Sequence, residues 1–348
     1  MNSRRFQNWL LQRWYGTRPV PWLIPFTGLF VLLAALRRAA YRLGLLRRIK
    51  LPVPVIVVGN IAVGGTGKTP FVIWLAGALQ ARGYSPGIVT RGYGGAVQHW
   101  PLRVSAASDP AMVGDEAVLL ARRTGLPVAA SPDRVAAARL LLHAAGVDLI
   151  VSDDGLQHYR LGRDLEIIML DGARGLGNGW CLPAGPLREP AARLAHIELL
   201  VAKQGPVTAR SLPSTALAMQ LAPEGVVNLA SGARVPLGKF AGQRVHAVAG
   251  IGNPQQFFAM LRTHGLQLVE HAWPDHARFV PADFAFAEHL PVLMTEKDAI
   301  KCGQFKQTNL WYVVASAEFS AADTRTILER VSVCMPAAGS AAGTGKPG

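Results

Sequence analysis

A glycine-rich turn between an apolar strand and a helix most constrains the fold of this chain. Residues Val53 to Thr69 read Val-Pro-Val-Ile-Val-Val-Gly-Asn-Ile-Ala-Val-Gly-Gly-Thr-Gly-Lys-Thr, and a helical pattern begins at Pro70. The β-branched run predicts a buried strand, and the order strand, glycine loop, helix is that of a phosphate-binding P-loop. Ala62 stands where the first glycine of the pattern would fall. The stretch therefore predicts nucleotide binding, and the alternative is an ordinary glycine turn.

The P-loop pattern gives each residue of the turn a role. Its glycines let backbone N–H groups point inward and approach phosphate oxygens closely. Lys68 would reach the β- and γ-phosphates, and the Thr69 hydroxyl would ligate Mg²⁺. The residues predicted to bind the nucleotide are Gly64, Gly65, Thr66, Gly67, Lys68 and Thr69.

The positive charge of the chain is concentrated near its start. The 348 residues carry a net charge of +14, but residues 1–50 contain ten basic side chains and no Asp or Glu. This distribution argues against a nucleic-acid-binding fold with a broad basic face and for a local anionic partner. We expect that partner to be an anionic membrane surface, and we expect a monomer that binds no nucleic acid. The three cysteines lack the spacing of a disulfide framework or a zinc site.

The apolar run from Trp22 to Leu36 supports a membrane partner. It has no charge in 15 residues, aromatic side chains precede it, and Arg37 and Arg38 follow it. A bilayer span needs about 20 residues, so an in-plane or shallowly inserted helix with arginines at the headgroups fits better. The alternatives are an ordinary buried helix with a basic exposed face and, less well supported, a signal peptide.

Strand-like and helix-like segments alternate after the P-loop, which predicts a mostly parallel α/β sheet with helices on both faces. After about residue 205 a short antiparallel excursion interrupts the alternation, which then resumes as a second, smaller α/β lobe. We therefore expect a membrane-associated helical segment 1–50, a P-loop domain 51–215, a smaller lobe 216–334 and a disordered tail 335–348. The predicted strands are 55–58, 87–90, 127–130, 148–152, 165–170, 218–221, 225–228, 235–237, 245–249, 291–295 and 310–314, and the predicted helices are 70–82, 115–123, 133–145 and 254–263.

Paired acidic residues mark two further candidate sites. Asp153 and Asp154 end an apolar strand, where P-loop proteins place a Mg²⁺-binding acid, although two acids can also cap a turn. Asp115 and Glu116 open a helix. Their spacing fits a favourable interaction with the helix dipole as well as it fits a base and a metal ligand.

Two histidines and one charged motif have weaker signals. His158 follows the paired acids and is a candidate site residue. His276 alone is better explained as a surface side chain beside Asp275, unless the two lobes face each other. The run Thr295 to Asp298 resembles the guanine-binding motif of GTPases, but Glu296 stands in the lysine position. We assign it no role.

Eight motifs, in this order, resemble the tetraacyldisaccharide 4'-kinase family over roughly residues 10–330. They are Gly-Asn-Ile-Ala-Val-Gly-Gly-Thr-Gly-Lys-Thr-Pro (59–70), Thr-Arg-Gly-Tyr-Gly (90–94), Gly-Asp-Glu (114–116), Asp-Asp-Gly-Leu-Gln-His (153–158), Pro-Ala-Gly-Pro-Leu-Arg-Glu (183–189), Gly-Ile-Gly-Asn-Pro (250–254), Pro-Asp-His (274–276) and Thr-Glu-Lys-Asp-Ala (295–299). The resemblance implies transfer of the γ-phosphoryl group of ATP to the 4'-hydroxyl of tetraacyldisaccharide 1-phosphate. The product would be lipid IVA, made at the cytoplasmic face of the inner membrane by a peripheral or monotopic protein.

The same resemblance implies roles for individual residues. Asp115 would be the base, paired with His276, while Lys68 and Asp154 would complete the catalytic group. Thr69, Glu116 and Asp153 would hold Mg²⁺. The residues implied for phosphate or substrate contacts are Arg134, Gln157, His158 and Arg188.

Two other functional classes compete with this interpretation. A membrane-tethered P-loop GTPase or metallochaperone-type switch would explain the loop and the N-terminal segment, but it lacks the guanine motif. A structural ATP-binding module would leave the acids at 115, 116, 153 and 154 without a purpose.

Overall fold

The computed structural model describes residues 3–335 except 145, 205–212 and 214, and for residues 3–8 it describes the backbone alone. The helices are α1 (Ser3–Trp14), α2 (Ile24–Arg42), α3 (Lys68–Gln80), α4 (Pro110–Val113), α5 (Asp115–Thr124), α6 (Arg134–Ala144), α7 (Pro254–Thr263), α8 (Glu296–Lys301) and α9 (Ala321–Val333). The strands are β1 (Val55–Gly59), β2 (Pro86–Thr90), β3 (Leu102–Val104), β4 (Val128–Ala130), β5 (Leu149–Asp153), β6 (Leu165–Asp171), β7 (Leu199–Lys203), β8 (Leu217–Asn228), β9 (Arg234–Val235), β10 (Arg244–Ala249), β11 (Gln267–Ala272), β12 (Val292–Thr295) and β13 (Leu310–Glu318).

In the described part of the chain the strands form one sheet in the order β11-β10-β12-β13-β8-β7-β6-β1-β5-β2-β4-β3, with β9 against β8. The pairs β3–β4, β8–β13 and β8–β9 are antiparallel and the others are parallel. The strands β1, β2 and β5 are buried along their whole length, as parallel strands covered on both faces are. The predicted α/β sheet is therefore confirmed.

The register of the central strands places the candidate acids beside the P-loop. In β1, Val58 lies opposite Asp153 of β5, so the two strands reach the same edge of the sheet together. The glycine loop leaves that edge after β1 and leads into α3. Carboxyl ends of parallel strands are where ligands of such sheets bind.

Strand β8 joins two halves of the sheet. The first half comprises β1 to β7, and the second half comprises β9 to β13; β8 pairs with β7 at its start and with β13 over its later residues. The two strands predicted at 218–221 and 225–228 are wrong as separate elements, because β13 holds β8 in one line. A register shift at Val314 and Ala315 accommodates Pro223, which lacks an N–H, and Gly225 at φ +153°.

The halves also share their core. Ile327 and Val331 of α9 pack in the same cluster as Ile56 of β1 and Phe71 of α3. A helix that follows the second half in sequence therefore completes the packing of the first. The division at residue 215 falls just before β8 and stays a prediction. The predicted disordered tail lies outside the described residues apart from Met335.

The apolar run predicted at residues 22–36 begins in the helical turn Pro21–Leu23 and continues through α2, which ends at Arg42. Six large apolar side chains of this segment are more than half exposed, namely Trp22, Phe26, Leu29, Leu32, Leu33 and Leu36. Together with the preceding turn, the helix spans Pro21–Arg42 and is the one described helix that is long and apolar enough to cross a membrane. The alternative of an ordinary buried helix does not fit this exposure.

Candidate nucleotide and phosphoryl-transfer site

A buried lysine at the end of β7 donates a hydrogen bond to the backbone of the glycine loop. Gly67 adopts φ +82° at the start of α3, and a Cβ atom there would lie 2.7 Å from the terminal carbon of Met219. Lys203, at the end of β7, donates a hydrogen bond from Nζ to the carbonyl of Gly65 at 2.7 Å. Its ammonium is 3.4 Å from Asp171, so a charged pair supports the outer side of the loop. Burial lowers the pKa of Lys203 despite that carboxylate.

Lys68 faces the paired acids. Its Nζ lies 3.5 Å from Oδ1 of Asp154, and Arg188 approaches the same oxygen at 3.4 Å. Burial would raise the pKa of Asp154, but the charges of Lys68 and Arg188 outweigh it and hold that pKa below its usual value. Asp154 has φ +50°, a conformation that Asp adopts more readily than most residues and that concentrates at functional sites.

Asp153 is in a different environment from its neighbour. Its side chain is 1% exposed, and within the described residues neither carboxylate oxygen has a hydrogen-bond partner. Burial and the nearby charge of Glu116 raise the pKa of Asp153 to about 7. A buried carboxylate without a partner is costly, and such groups are usually paired or bound to a metal.

Asp115 and His276 come together from opposite halves. Asp115 opens α5, and its Oδ2 lies 3.1 Å from Nδ1 of His276, in the loop after β11. His276 has φ +58°, and its ring lies 4.8 Å from that of Tyr93. The two halves therefore face each other at this point, which is the condition under which His276 is more than a surface side chain.

The two partners shift each other's pKa. Burial would raise the pKa of Asp115, but the hydrogen bond from His276 and the charge of Lys297 lower it. Burial would lower the pKa of His276, but the hydrogen bond to Asp115 raises it above its usual value. Each group therefore favours the charged form of the other.

Lys297 joins the same cluster, although the sequence analysis left its motif without a role. Its Nζ lies 2.9 Å from Glu116 and 3.2 Å from Asp275. Burial would lower the pKa of Lys297, but the charges of Glu116, Asp115 and Asp275 raise it above its usual value. The likeness of this motif to the guanine-binding motif tests only for recognition of a base. It therefore gave no indication that Lys297 contacts the acidic residues of the site.

A cleft of about 650 Å³ lies between the P-loop and the second half. The P-loop, Glu116 and Lys297 line its polar side, and apolar side chains of α7 such as Phe257 and Met260 line the other. Gly252 brings the second half to the loop, since a Cβ there would lie 3.2 Å from the amide nitrogen of Gly65. An apolar pocket with a few convergent polar groups is typical of nucleotide and cofactor sites.

Three of the four predicted substrate contacts are used within the protein. Arg134 is buried, and its guanidinium donates to the backbone carbonyls of Ser131, Pro132 and Asp154. Burial lowers its pKa to about 10.

Gln157 and His158 are occupied in similar ways. Gln157 donates to Glu189 at 2.8 Å, and Nε2 of His158 accepts from the backbone N–H of Arg134 at 3.4 Å. Burial and the charge of Arg134 lower the pKa of His158 to about 4. Arg188 alone of the four keeps a partly exposed guanidinium beside Asp154.

Sequence reasoning missed a second network around the P-loop. Tyr15 donates its hydroxyl to the carbonyl of Val63, and its ring lies 4.8 Å from the guanidinium carbon of Arg174. Arg174 in turn donates to the carbonyl of Gly252 at 3.1 Å. Asp171 carried a usable signal, because it ends β6 as Asp153 ends β5. Tyr15 gave none, since only the fold brings it to the loop.

A P-loop at the carboxyl edge of a parallel sheet, with a lysine, clustered acids and a carboxylate–histidine pair, defines a protein of the phosphoryl-transfer class. The model of one such family, Tetraacyldisaccharide-1-P 4'-kinase, matches residues 20–332. The chain belongs to this family, so the resemblance predicted from its motifs is confirmed.

Individual members of this family are similar to the chain over most of its length. The chain is 50% identical over 336 residues to the tetraacyldisaccharide 4'-kinase of Methylobacillus flagellatus, covering 96% of this chain and 98% of that protein. It is 52% identical over 304 residues to the tetraacyldisaccharide 4'-kinase of Alkalilimnicola ehrlichii, covering 86% of this chain and 90% of that protein. Its fold matches a crystal structure of LpxK from Aquifex aeolicus in complex with ATP, with a TM-score of 0.75, 30% identity, and coverage of 90% of this chain and 98% of that one.

Proposed function

We propose that this protein transfers the γ-phosphoryl group of ATP to the 4'-hydroxyl of tetraacyldisaccharide 1-phosphate, giving lipid IVA. The observation that carries the proposal is the Asp115–His276 pair, which is built from both halves of the sheet. Its neighbours Glu116 and Asp275 line the same cleft as the P-loop. Family membership and the ATP complex of the Aquifex aeolicus protein support the choice of acceptor and donor.

The reaction depends on charge and position more than on covalent chemistry. The backbone of the glycine loop and Lys68 would bind the phosphates at the edge of the sheet. Asp115 would accept the proton of the 4'-hydroxyl as the new P–O bond forms, so a carboxylate with a low pKa is sufficient. His276 orients that carboxylate through its Nδ1 contact. Because the two residues lie on different halves, opening of the cleft would separate the pair.

The residues present fit a magnesium ion. Asp153 offers two buried oxygens that have no hydrogen-bond partner in the described part of the chain, and the charge of Glu116 acts on its carboxyl group. The described residues contain no group of three or more His, Cys, Asp or Glu placed to hold a metal by themselves. A Mg²⁺ ion normally shares its ligands with nucleotide phosphates and water. Thr69, Glu116 and Asp153 would hold the ion, which would neutralise charge on the β- and γ-phosphates when bound.

A membrane position is supported by the exposed side of α2. Its other side is fixed to the protein, since the Thr27 hydroxyl donates to the Cys181 carbonyl at 3.2 Å and accepts from the Ala184 N–H at 3.0 Å. A helix attached in this way would insert its apolar side into one leaflet instead of crossing the bilayer. We propose a peripheral or monotopic monomer at the cytoplasmic face of the inner membrane.

The segment after α2 would meet the lipid headgroups. Leu43 and Leu45 are 76% exposed, and a cavity of about 650 Å³ follows, lined by Arg47, Arg48, Ile49, Lys50, Arg139 and Arg160. Basic side chains beside an apolar surface favour anionic lipid. A four-chain lipid substrate stays in the bilayer, so an enzyme held there can reach it.

A label-transfer assay tests the proposed reaction. Purified protein, Mg²⁺ and ATP labelled in its γ-phosphate would be mixed with tetraacyldisaccharide 1-phosphate in detergent micelles, with labelled GTP in a parallel tube. We expect label in the lipid with ATP and none with the Lys68→Ala variant. Hydrolysis of GTP without labelled lipid would favour a switch protein and refute the kinase proposal.

Vesicle flotation tests the membrane position. The double variant Leu29→Asp, Leu33→Asp should lose binding to vesicles containing anionic phospholipid, while Val333→Asp should retain it. Val333 is a matched control because it is an apolar helix residue that is 83% exposed on α9. Equal binding by both variants would show that another surface anchors the protein.

A further inference from the structure

Helices α5 and α8 connect the two halves through two ion pairs. At the start of α5, a carboxylate oxygen of Glu116 lies 2.9 Å from Nζ of Lys297. At the end of α5, the guanidinium of Arg123 lies 2.7 Å from a carboxylate oxygen of Glu296. The two partners on α8 are consecutive residues. The pairs therefore link the same two helices but differ in their distance from the catalytic cluster.

Lys297 is surrounded by acceptors from both halves. Its Nζ lies 2.9 Å from Oε1 of Glu116, 3.2 Å from Oδ1 of Asp275 and 3.5 Å from Nε2 of His276. Its side chain is only 15% exposed. An ammonium group has three N–H donors and no acceptor, so these three partners match its full donor capacity.

We propose that Lys297 is a positioning residue for phosphoryl transfer, which fixes the ring of His276 and the carboxylate of Glu116 in one arrangement. This inference rests on the proposed kinase function and adds a residue to it. When the ring of His276 is neutral, its Nε2 accepts, because Lys297 can only donate. The ring proton is then on Nδ1, facing Asp115 at 3.1 Å. The contact to Glu116 uses Oε1, which leaves Oε2 for a metal ion.

Loss of Lys297 would release both groups together. The carboxylates of Glu116 and Asp275 would lose the cation between them, and His276 would be free to change tautomer or rotate. Misplacement of a reacting group by about 1 Å costs on the order of 10²-fold in rate. The nucleotide would still bind through the P-loop, because within the described residues Lys297 donates to Glu116, Asp275 and His276, none of which belongs to that loop.

The kinetic test compares Lys297→Met with Arg123→Met, which removes the other ion pair between α5 and α8. We expect kcat of Lys297→Met to fall on the order of 10²-fold, with KM for ATP changed by less than about threefold. Arg123→Met should keep kcat within about twofold while losing a comparable amount of thermal stability. Lys297→Arg, which keeps donors at the site, should recover at least about tenfold of the lost kcat. Equal effects of Lys297→Met and Arg123→Met would reduce Lys297 to a structural contact and overturn the proposal.

Nitrogen NMR of histidine-labelled protein tests the same inference without substrate. The signal of His276 is assigned by comparison with the His276→Gln variant. At a pH at which this ring is neutral, its proton should be on Nδ1 in the unmodified protein and in Arg123→Met. In Lys297→Met it should show a mixture of tautomers. A ring already protonated on Nε2 in the unmodified protein would refute the positioning role. Because this readout needs no lipid or ATP, it separates failure of the positioning role from failure of the kinase proposal.

Discussion

Replacing Asp153 with Asn removes a buried carboxylate that has no hydrogen-bond partner within the described residues. In the folded protein this carboxyl group has a pKa raised to about 7 by burial and by the charge of Glu116. In the unfolded chain its pKa is about 3.9. Between those values the folded state binds more protons, so the free energy of unfolding falls as pH rises through this window. Above about pH 7 the destabilisation is complete.

The magnitude follows from the two pKa values. At ~1.4 kcal/mol per pKa unit, the raised pKa costs the folded state about 4 kcal/mol at pH 8 and about 1–2 kcal/mol at pH 5. The Asn side chain avoids this penalty but keeps unpaired polar atoms, a cost of about 1–3 kcal/mol that does not change with pH. Relative to the unmodified protein, Asp153→Asn should therefore gain about 2–3 kcal/mol more stability at pH 8 than at pH 5.

Urea unfolding at the two pH values, in detergent and with a chelator present, measures this difference. Asp148→Asn is the control, because Asp148 precedes the same strand and accepts from the Ser85 N–H at 2.9 Å. That variant should show no stabilisation at pH 8. If the gain of Asp153→Asn is the same at pH 5 and pH 8, the carboxyl is solvated or paired, and the argument for an available metal ligand fails. Magnesium and a non-hydrolysable ATP analogue should reverse the order and stabilise the unmodified protein more.

Three further variants test the site. Asp115→Asn should lower kcat by about 10²- to 10⁴-fold with little change in ATP affinity measured by calorimetry, since a base acts in the transition state; comparable losses in both would make Asp115 a binding or metal residue. Lys68→Ala should lose measurable label transfer while its circular dichroism spectrum is retained, and near-normal rates would exclude the P-loop role. Lys203→Met should raise KM for ATP by about tenfold, because one net hydrogen bond to the loop is worth roughly 1 kcal/mol or more when the donor is charged; an equal rise in KM for the lipid would point to general loosening.

The sequence predicted the parts of the fold that have strong local signals. The P-loop, the strands β1, β2, β4, β5 and β6 and the helix after Gly114 follow from apolar periodicity and glycine placement, whereas β3 and β7 were not predicted. The family motifs indicated Asp115 and His276. The sequence could not show that Lys297 lies between Glu116 and His276, since they come from segments about 180 and 21 residues away. It could not identify Arg134 as an internal support, because burial of a guanidinium is decided by tertiary packing. The strand β8 was divided in two because Pro223 and Gly225 are local strand breakers that a continuous partner strand overrides.

The shared strand β8 and the returning helix α9 fix the order of events during biosynthesis. Helix α2 is synthesised before every strand of the sheet, so the chain can reach the bilayer while most of it is still unmade. The edge of β8 stays open until β13 at 310–318 is synthesised, and the cluster around Phe71 stays uncovered until Ile327 and Val331 emerge. An open strand edge and an uncovered core attract chaperones and promote aggregation. The nascent chain would thus reach the membrane before its sheet and core are complete, and synthesis of α9 would be the step that completes the core.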